Sequence, residues 1–461
     1  MNKNSINRRD FLSSAAVVGA ASTLGAGTLL SSCCGSKEPA IVPLRPRPEW
    51  NLAADPLPDK AVDGKELKVG LVGCGGQGTG DLINFLFAAD GIRVTALGDM
   101  FIDRLNSCRA RLKEDKRLVE AGKTQEVSDD MCFLGFDAYK KVIDAVDIVM
   151  LITPPAFRPL YFKYAVDNGK HVFMEKPLCV DPVGARSILA TARQAETQGL
   201  CVVTGTQRHH QRVYTEAYKQ IQSGLIGDIV SGNVYWNQVK LWHKDKDPKW
   251  TDMEWMIRDW VNWTWLSGDH IVEQHVHNID VFNLFSHLKP EKCVGFGARQ
   301  RRPTGDQYDM FSVDYIYEGG VHVHSMCRQI DGCASNVSER IQGTKGVWTS
   351  DGVITDLKGN ELWKFDREKE KTDFKQTSPT VLELANWVNH IRTGKYINQA
   401  AETAISTLTA IMGRISAYTG EEVTWEQVMA MDQNLVPENL ELKKMDMSQY
   451  VVPVPGTAKN S

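Results

Sequence analysis

The 461-residue chain has no basic tract, and its formal net charge of −4 leaves no electrostatic footprint for nucleic acid. It carries no internal repeat, which excludes a solenoid or blade array. Its longest apolar run, Ala15 to Leu30, is broken by Gly, Ser and Thr, which argues against a membrane-spanning helix. Ten cysteines are present, but none has CxxC spacing. Cys33 and Cys34 sit beside the apolar run, and the other eight read mostly as small hydrophobes whose disulfide pairing cannot be read from spacing. With 42% hydrophobic residues the chain can bury one or two full cores, so two domains are expected.

What is present begins with an address. Asn7-Arg8-Arg9-Asp10-Phe11-Leu12 carries a twin-arginine pair ahead of the interrupted apolar run, and Leu30-Ser31-Ser32-Cys33 resembles a lipoprotein cleavage box. Residues 1–33 therefore read as a twin-arginine lipoprotein signal, with Cys33 the lipidated first residue of a periplasmic, membrane-anchored product. Residues 34–64, rich in Pro, Ala and charge, read as a tether. The extension 426–461 is expected to end in a loose tail after Val451.

Leu67-Lys68-Val69-Gly70-Leu71-Val72 reads as a strand, and Gly73-Cys74-Gly75-Gly76-Gln77-Gly78 follows it on the G-x-G-x-x-G template, ahead of a helix-compatible run. Strand, glycine turn and helix together make a place for a pyrophosphate, because backbone N–H groups come close to it and the helix N-terminus favours its charge. A second strand, Ile92 to Leu97, ends at Asp99. An acid there accepts hydrogen bonds from the ribose hydroxyls of NAD and repels the 2′-phosphate of NADP, so NAD is the expected cofactor. Arg93 and Arg104 are the nearby residues that speak for NADP. Further strands at 146–152, 171–174 and 201–204 alternate with helices at 159–168 and 182–198. That alternation predicts a doubly wound parallel sheet over residues 65–205, with ligands at the C-terminal strand ends. Thr153, Pro154, Glu175 and Lys176 are expected to join Gly73, Gly75, Gly76, Gln77, Gly78 and Asp99 around the cofactor.

The glycine turn, Thr153-Pro154, Glu175-Lys176-Pro177, Gly224-Leu225-Ile226-Gly227, Gly343-Thr344-Lys345-Gly346 and the Ser406 to Gly420 helix together resemble the Gfo/Idh/MocA oxidoreductase family, from Leu67 to about Trp425. The resemblance implies an N-terminal Rossmann domain and, over residues 206–425, an α+β domain with a large, mostly antiparallel sheet. The outer face of that sheet would then serve a dimer or tetramer. It implies a catalytic role for Lys176, and Glu273, His277 and Asp280 match the family's acid, histidine, acid spacing. On a helix Glu273 and His277 are i and i+4 neighbours. Oxidising a secondary alcohol needs a base for the hydroxyl proton, which suits His277, and a cation beside the developing alkoxide, which suits Lys176. Glu273 would hold the imidazole tautomer or a substrate hydroxyl.

Three positions depart from the family pattern: Glu273 where Asp is usual, His275 where a small residue is common, and Arg158 where many relatives carry a histidine. No metal is expected, but His270, Glu273, His275 and His277 are ligand types that would hold zinc or another divalent ion. On one helix His270, Glu273 and His277 share a face and His275 does not. Arg158, Arg208, His209, His275 and Trp263 are the substrate candidates, with Tyr308 and Arg328 behind them. Seven of the twelve tryptophans fall between Trp236 and Trp265, a segment that reads as an aromatic loop insertion. Two of the seven are expected on the substrate, since indole faces stack on the C–H faces of pyranose rings.

The expected activity is NAD-dependent oxidation of a secondary hydroxyl on a sugar or glycoside, with C3 of a glucoside implied by the resemblance. Two alternatives stay open. One is an NAD-dependent glycosidase working by transient oxidation and elimination, against which retention of Lys176 argues. The other is a carbohydrate-binding lipoprotein in which the nucleotide is structural.

Overall fold

The computed structural model describes residues 56–457. The signal, Cys33 and the tether as far as residue 55 lie outside the described residues.

Six short strands form a parallel sheet: β1 (Leu67–Val72), β2 (Ile92–Asp99), β3 (Cys132–Leu134), β4 (Ile148–Leu151), β5 (His171–Met174) and β6 (Val202–Thr204), in the order β3-β2-β1-β4-β5-β6. Every residue of β4 is buried, as a central parallel strand covered on both faces requires. Helices Gly76–Ala88 and Pro379–Thr393 cover one face, and Ala138–Asp144, Arg158–Asp167 and Pro182–Thr197 cover the other. The order reverses beside β1, so the crevice at the carboxyl ends of β1 and β4 is the natural ligand site of this sheet.

A second sheet has nine strands: β7 (Ile229–Gln238), β8 (Pro290–Ala298), β9 (Met310–Tyr317), β10 (Val321–Gln329), β11 (Asn336–Gly343), β12 (Gly346–Thr349), β13 (Val353–Asp356), β14 (Glu361–Lys364) and β15 (Val423–Thr424). Their order is β14-β13-β12-β11-β7-β10-β9-β8-β15, antiparallel except for the β10–β7 pair. The helices Val276–Ser286 and Ala400–Thr419 pack on one face. Arg414 of the longer helix is buried, and its guanidinium donates to the carbonyls of Val180 (2.7 Å) and Gly268 (3.0 Å). That side chain ties the two sheets together.

Several expectations change. The tryptophan-rich segment is a loop only over residues 239–251, which hold Trp242 and Trp250; Trp236 lies on β7, and the rest lie on the Asp252–Arg258 helix, a 3-10 turn at Trp260–Asn262 and around the Thr264–Ser267 helix. The end of the expected tether is docked, since Ala61 donates to the Ala88 carbonyl (2.9 Å), Arg392 donates to Val62 (2.8 Å) and Arg212 pairs with Asp59 (2.8 Å). The tail after Val451 is also held, by Tyr308 Oη donating to the Pro453 carbonyl (2.9 Å) and Gly456 N–H to Thr419 (3.0 Å). Among the described residues no helix is long and apolar enough to cross a membrane.

Trp387 carries much of the packing between a helix late in the chain and the parallel sheet. It is fully buried, lies 5.5 Å from Phe85 and 6.0 Å from Phe173 between ring centroids, and donates to the Cys201 carbonyl at 3.2 Å. Trp387→Ala is expected to lower the unfolding free energy by about 3–5 kcal/mol, read from the midpoint of urea denaturation.

Candidate active site

A cleft of about 990 Å³ runs between the edge of the parallel sheet and the second sheet. Its floor begins at the glycine turn. Gly73 has φ +103°, and a Cβ there would lie 2.1 Å from the Ile152 carbonyl oxygen; a Cβ on Gly78 would lie 1.9 Å from the Gly73 oxygen. The turn therefore folds only with glycine at these points. The helix that follows starts at Gly76 with Gly75 as its cap, has no acid in its first turn and no side chain closing its end. Its first N–H groups are left facing the cleft, which suits an anionic pyrophosphate. Asp99, at the end of β2, lines the same cleft and accepts from the N–H groups of Cys74 (2.7 Å) and Phe101 (2.8 Å). These residues fit a dinucleotide.

Farther along, Thr153, Pro154, Glu175 and Lys176 line the cleft together. Arg158 lines the cleft but is buried: its guanidinium donates to the carbonyls of Pro177 and Thr153, the latter at 2.6 Å, and clamps the two loops to each other. Burial pulls its pKa down to about 10, with Glu175 and Glu273 opposing, so it stays charged at neutral pH. Three carboxyl groups gather nearby. Burial pushes Glu175, Asp81 and Glu383 upward; the Glu175 charge adds to the effect on the other two, while Lys176 and Arg158 oppose it at Glu175 itself. Glu383 lines the cleft with Oε2 unpartnered among the described residues.

Lys176 reaches across to the second half of the chain. Its ammonium donates to the Glu273 carbonyl at 2.6 Å and to Glu273 Oε1 at 3.2 Å, with both side chains about nine-tenths buried. Glu273 closes a one-turn helix, His270–Glu273, and His277 opens the next, Val276–Ser286. The single helix expected from the spacing is thus broken at Gln274 and His275. The break corrects the i, i+4 reading, yet Glu273, Gln274 and His277 all line the cleft. The His277 ring stacks on Trp236 at 5.7 Å and 23°. Burial holds its pKa well below the ordinary histidine value, and the charges of Lys176 and Arg208 push the same way.

The other candidates are placed elsewhere. His209 is fully buried, bonded to Asp280 through Nε2 and near Thr206 through Nδ1, and Asp280 also accepts from Ser406 at 2.8 Å. His275 is buried against Ser325 Oγ (2.7 Å), with its pKa pushed down to about 3 by burial. Arg208 pairs with Glu339 at 2.5 Å behind the Trp236 ring. Trp263 is 3% exposed and packs edge-on to Trp255 and Tyr450. Tyr308 and Arg328 are spent on the carbonyls of Pro453 and Ala334. None of these six lines the cleft. As for a metal, His270 turns Nδ1 to Asp269 (3.0 Å) while His275 turns to Ser325. Among the described residues no three His, Cys, Asp or Glu side chains gather as a metal site.

The tryptophans that do line the cleft are Trp236, Trp242 and Trp260. Their segment had been singled out for its aromatic density, but the choice among seven depends on helix ends that tryptophan spacing does not mark. Glu383 was missed altogether, because a lone acid in a late helix carries no signal.

A doubly wound sheet with a glycine phosphate turn, facing a lysine, a histidine and an aromatic wall, defines a dinucleotide-binding fold with a second compartment beside the cofactor site. Comparisons with known proteins agree. Residues 67–206 match the oxidoreductase family, NAD-binding Rossmann fold, and residues 214–349 match the GFO/IDH/MocA C-terminal domain. The chain belongs to the Gfo/Idh/MocA oxidoreductase family, and its first domain is an NAD-binding Rossmann domain.

Residues 5–25 match a twin-arginine translocation signal, which indicates export by that route. The chain is 28% identical over 244 residues to a glycosyl hydrolase family 109 protein of Solibacter usitatus, covering 50% of this chain and 46% of that one. It therefore spans about half the length of the first curated relatives it matches. An inositol 2-dehydrogenase of Rubrobacter xylanophilus is 25% identical over 287 residues, covering 62% of this chain and 71% of that protein. Among solved structures, scyllo-inositol dehydrogenase of Lactobacillus casei with bound NAD(H) and scyllo-inositol shares the fold at TM-score 0.56 and 18% identity, covering 78% of this chain and 99% of that one.

The open helix end yields a test. A Cβ on Gly76 meets nothing within 4 Å, so Gly76→Ala is expected to leave the melting temperature of the cofactor-free protein unchanged. NAD affinity should fall at least tenfold, since the methyl group intrudes where the pyrophosphate approaches the N–H groups. Scanning calorimetry without cofactor checks the first half, and calorimetric titration with NAD the second.

Proposed function

We propose that the protein is an exported, lipid-anchored, NAD-dependent dehydrogenase that oxidises a secondary hydroxyl of a sugar or glycoside. C3 of a glucoside is the position favoured by the family resemblance. The observation that carries this reading is the convergence of Lys176, His277 and the tryptophan wall on the cleft that holds the glycine turn.

The bound NAD supplies a hydride acceptor. The glycine turn and Asp99 would hold its phosphates and ribose, and Thr153, Pro154 and Glu175 line the same cleft. His277 is neutral at neutral pH, so its ring can take the hydroxyl proton. The same depression makes it a weak base, and the Lys176 ammonium offsets this by stabilising the negative charge that develops on the substrate oxygen. Glu273 aims Lys176 through its carbonyl and carboxylate. Trp236 flanks His277, and with Trp242 and Trp260 it offers faces for a pyranose ring while excluding water. Val294 and Phe296, 49% and 71% exposed on β8, support a dimer or tetramer through the open face of the second sheet.

The glycosyl hydrolase family 109 relatives favour a second reading, in which oxidation is transient and the aglycone is eliminated. Release of nitrophenol from nitrophenyl glycosides without lasting NADH absorbance would select it. Stoichiometric NADH formation with unmodified glycosides selects the dehydrogenase.

Two results are expected. Lys176→Met and His277→Ala each lower kcat by about 10²–10⁴-fold while NAD stays bound, measured by single-turnover absorbance at saturating sugar. The acid limb of kcat/KM falls below pH ~6.5, because burial and the neighbouring cations hold His277 below the ordinary histidine value. Lys176→Met removes one of those cations and moves the His277 titration to higher pH, which NMR of the imidazole follows without need of turnover.

A further inference from the structure

A second, smaller cavity of about 400 Å³ adjoins the cleft, and Leu241 lines both. Leu241 is thus the residue common to both walls. The volume falls within the range of about 300–1,000 Å³ typical of small-molecule sites. Its wall is built from the ends of β7 and β10 and from residues 301–309, with the turn at Asn262 beneath it.

The wall is polar and ordered. Arg302 donates to Asn262 Oδ1 (2.7 Å), to Gln329 Oε1 (2.8 Å) and to the Tyr308 carbonyl (3.3 Å), which leaves its guanidinium flat and fixed. Asp309 holds the chain in shape by accepting the Arg301 N–H at 2.5 Å and the Arg302 N–H at 3.3 Å through Oδ2. One buried group in this wall, the donor Gln329 Nε2, has no hydrogen-bond partner among the described residues, and Asp309 Oδ1 meets only the Arg302 guanidinium, as an ion pair at 3.6 Å; Gln329 is 3% and Asp309 1% exposed. Buried polar groups without partners are rare and point to an absent ligand or water. The Asp309 carboxylate faces Arg302 at 3.6 Å and Asp331 faces Lys240 at 3.5 Å, so most of the charge is answered within the wall.

An unpartnered donor on Gln329, the Asp309 carboxylate and planar polar side chains, with Leu241 and Ile330 beside them, match a ring that carries several hydroxyls on one face and C–H groups on the other. We propose that this cavity is a subsite for the second sugar unit of a disaccharide or longer glycoside whose first unit lies in the cleft. The proposal rests on the sugar-oxidising reading above and gives it a substrate class: a glycan of at least two units.

Cellobiose, maltose, lactose and N,N′-diacetylchitobiose serve as probes, with methyl glucosides as the one-unit comparison. In saturation-transfer NMR on the NAD-loaded protein, at least one disaccharide should show contact from both rings. Pro303→Trp, an exposed rim position that a large ring fills inward, should abolish the signal of one ring. It should also lower the ratio of disaccharide to methyl glucoside kcat/KM at least tenfold. Contact confined to one ring in every disaccharide, or a signal and ratio unmoved by Pro303→Trp, overturns the subsite even when sugars are oxidised. Two-ring contact that Pro303→Trp removes, with no sugar oxidised, leaves the subsite standing and overturns the dehydrogenase reading instead.

Discussion

The ion pair between Lys176 and Glu273 joins residues 97 positions apart and links the edge of one sheet to the helix break beside the other. A pair so enclosed is not retained for its net stability, because desolvation consumes most of the Coulombic gain. Its consequence is geometric. The Glu273 carbonyl and carboxylate leave the ammonium little freedom, so the cation is fixed where the cleft passes from cofactor to substrate. Breaking the pair by removing one partner strands the other charge in a poorly solvated place.

The broken helix follows from the same constraint. Asp269, at φ 74°, caps the one-turn helix by accepting the His270 N–H at 2.5 Å, and it also accepts from the Tyr308 N–H (3.0 Å) and from Tyr418 Oη. With its start pinned this way, the turn ends at Glu273 and the chain restarts at Val276. Glu273 then faces Lys176 while His277 faces Trp236. An uninterrupted helix would have carried both on one stripe; the break lets one segment serve two neighbours. Arg158 shows the same economy, since it steadies the loops on either side of the lysine by bonding their carbonyls.

Much of the nucleotide half was legible because its signals are local. The glycine turn, the acid at the end of β2 and the alternation of short apolar runs each depend on neighbours in sequence, and strands β1, β2, β4, β5 and β6 fall within a residue or two of expectation. Strands β12 to β15, of two to four residues, were too short to announce themselves. Motif spacing singles out Lys176, Glu273 and His277, and all three line the cleft. The peripheral choices fared worse: His209, His275 and Trp263 are polar or aromatic residues near the right place in sequence, yet each is turned into the protein interior.

Sequence alone determined the glycine turn, the export signal, the residue types available for proton transfer and the two-sheet plan, since each is written in contiguous residues or fixed periodicity. Tertiary structure alone decided which of seven tryptophans face the cleft, that Arg158 binds carbonyls, and that a polar cavity opens beyond Leu241. Those outcomes depend on where chain segments far apart in sequence come to rest. Burial, which sets both the partner and the pKa of a side chain, is a property of the packed whole and not of any stretch of sequence.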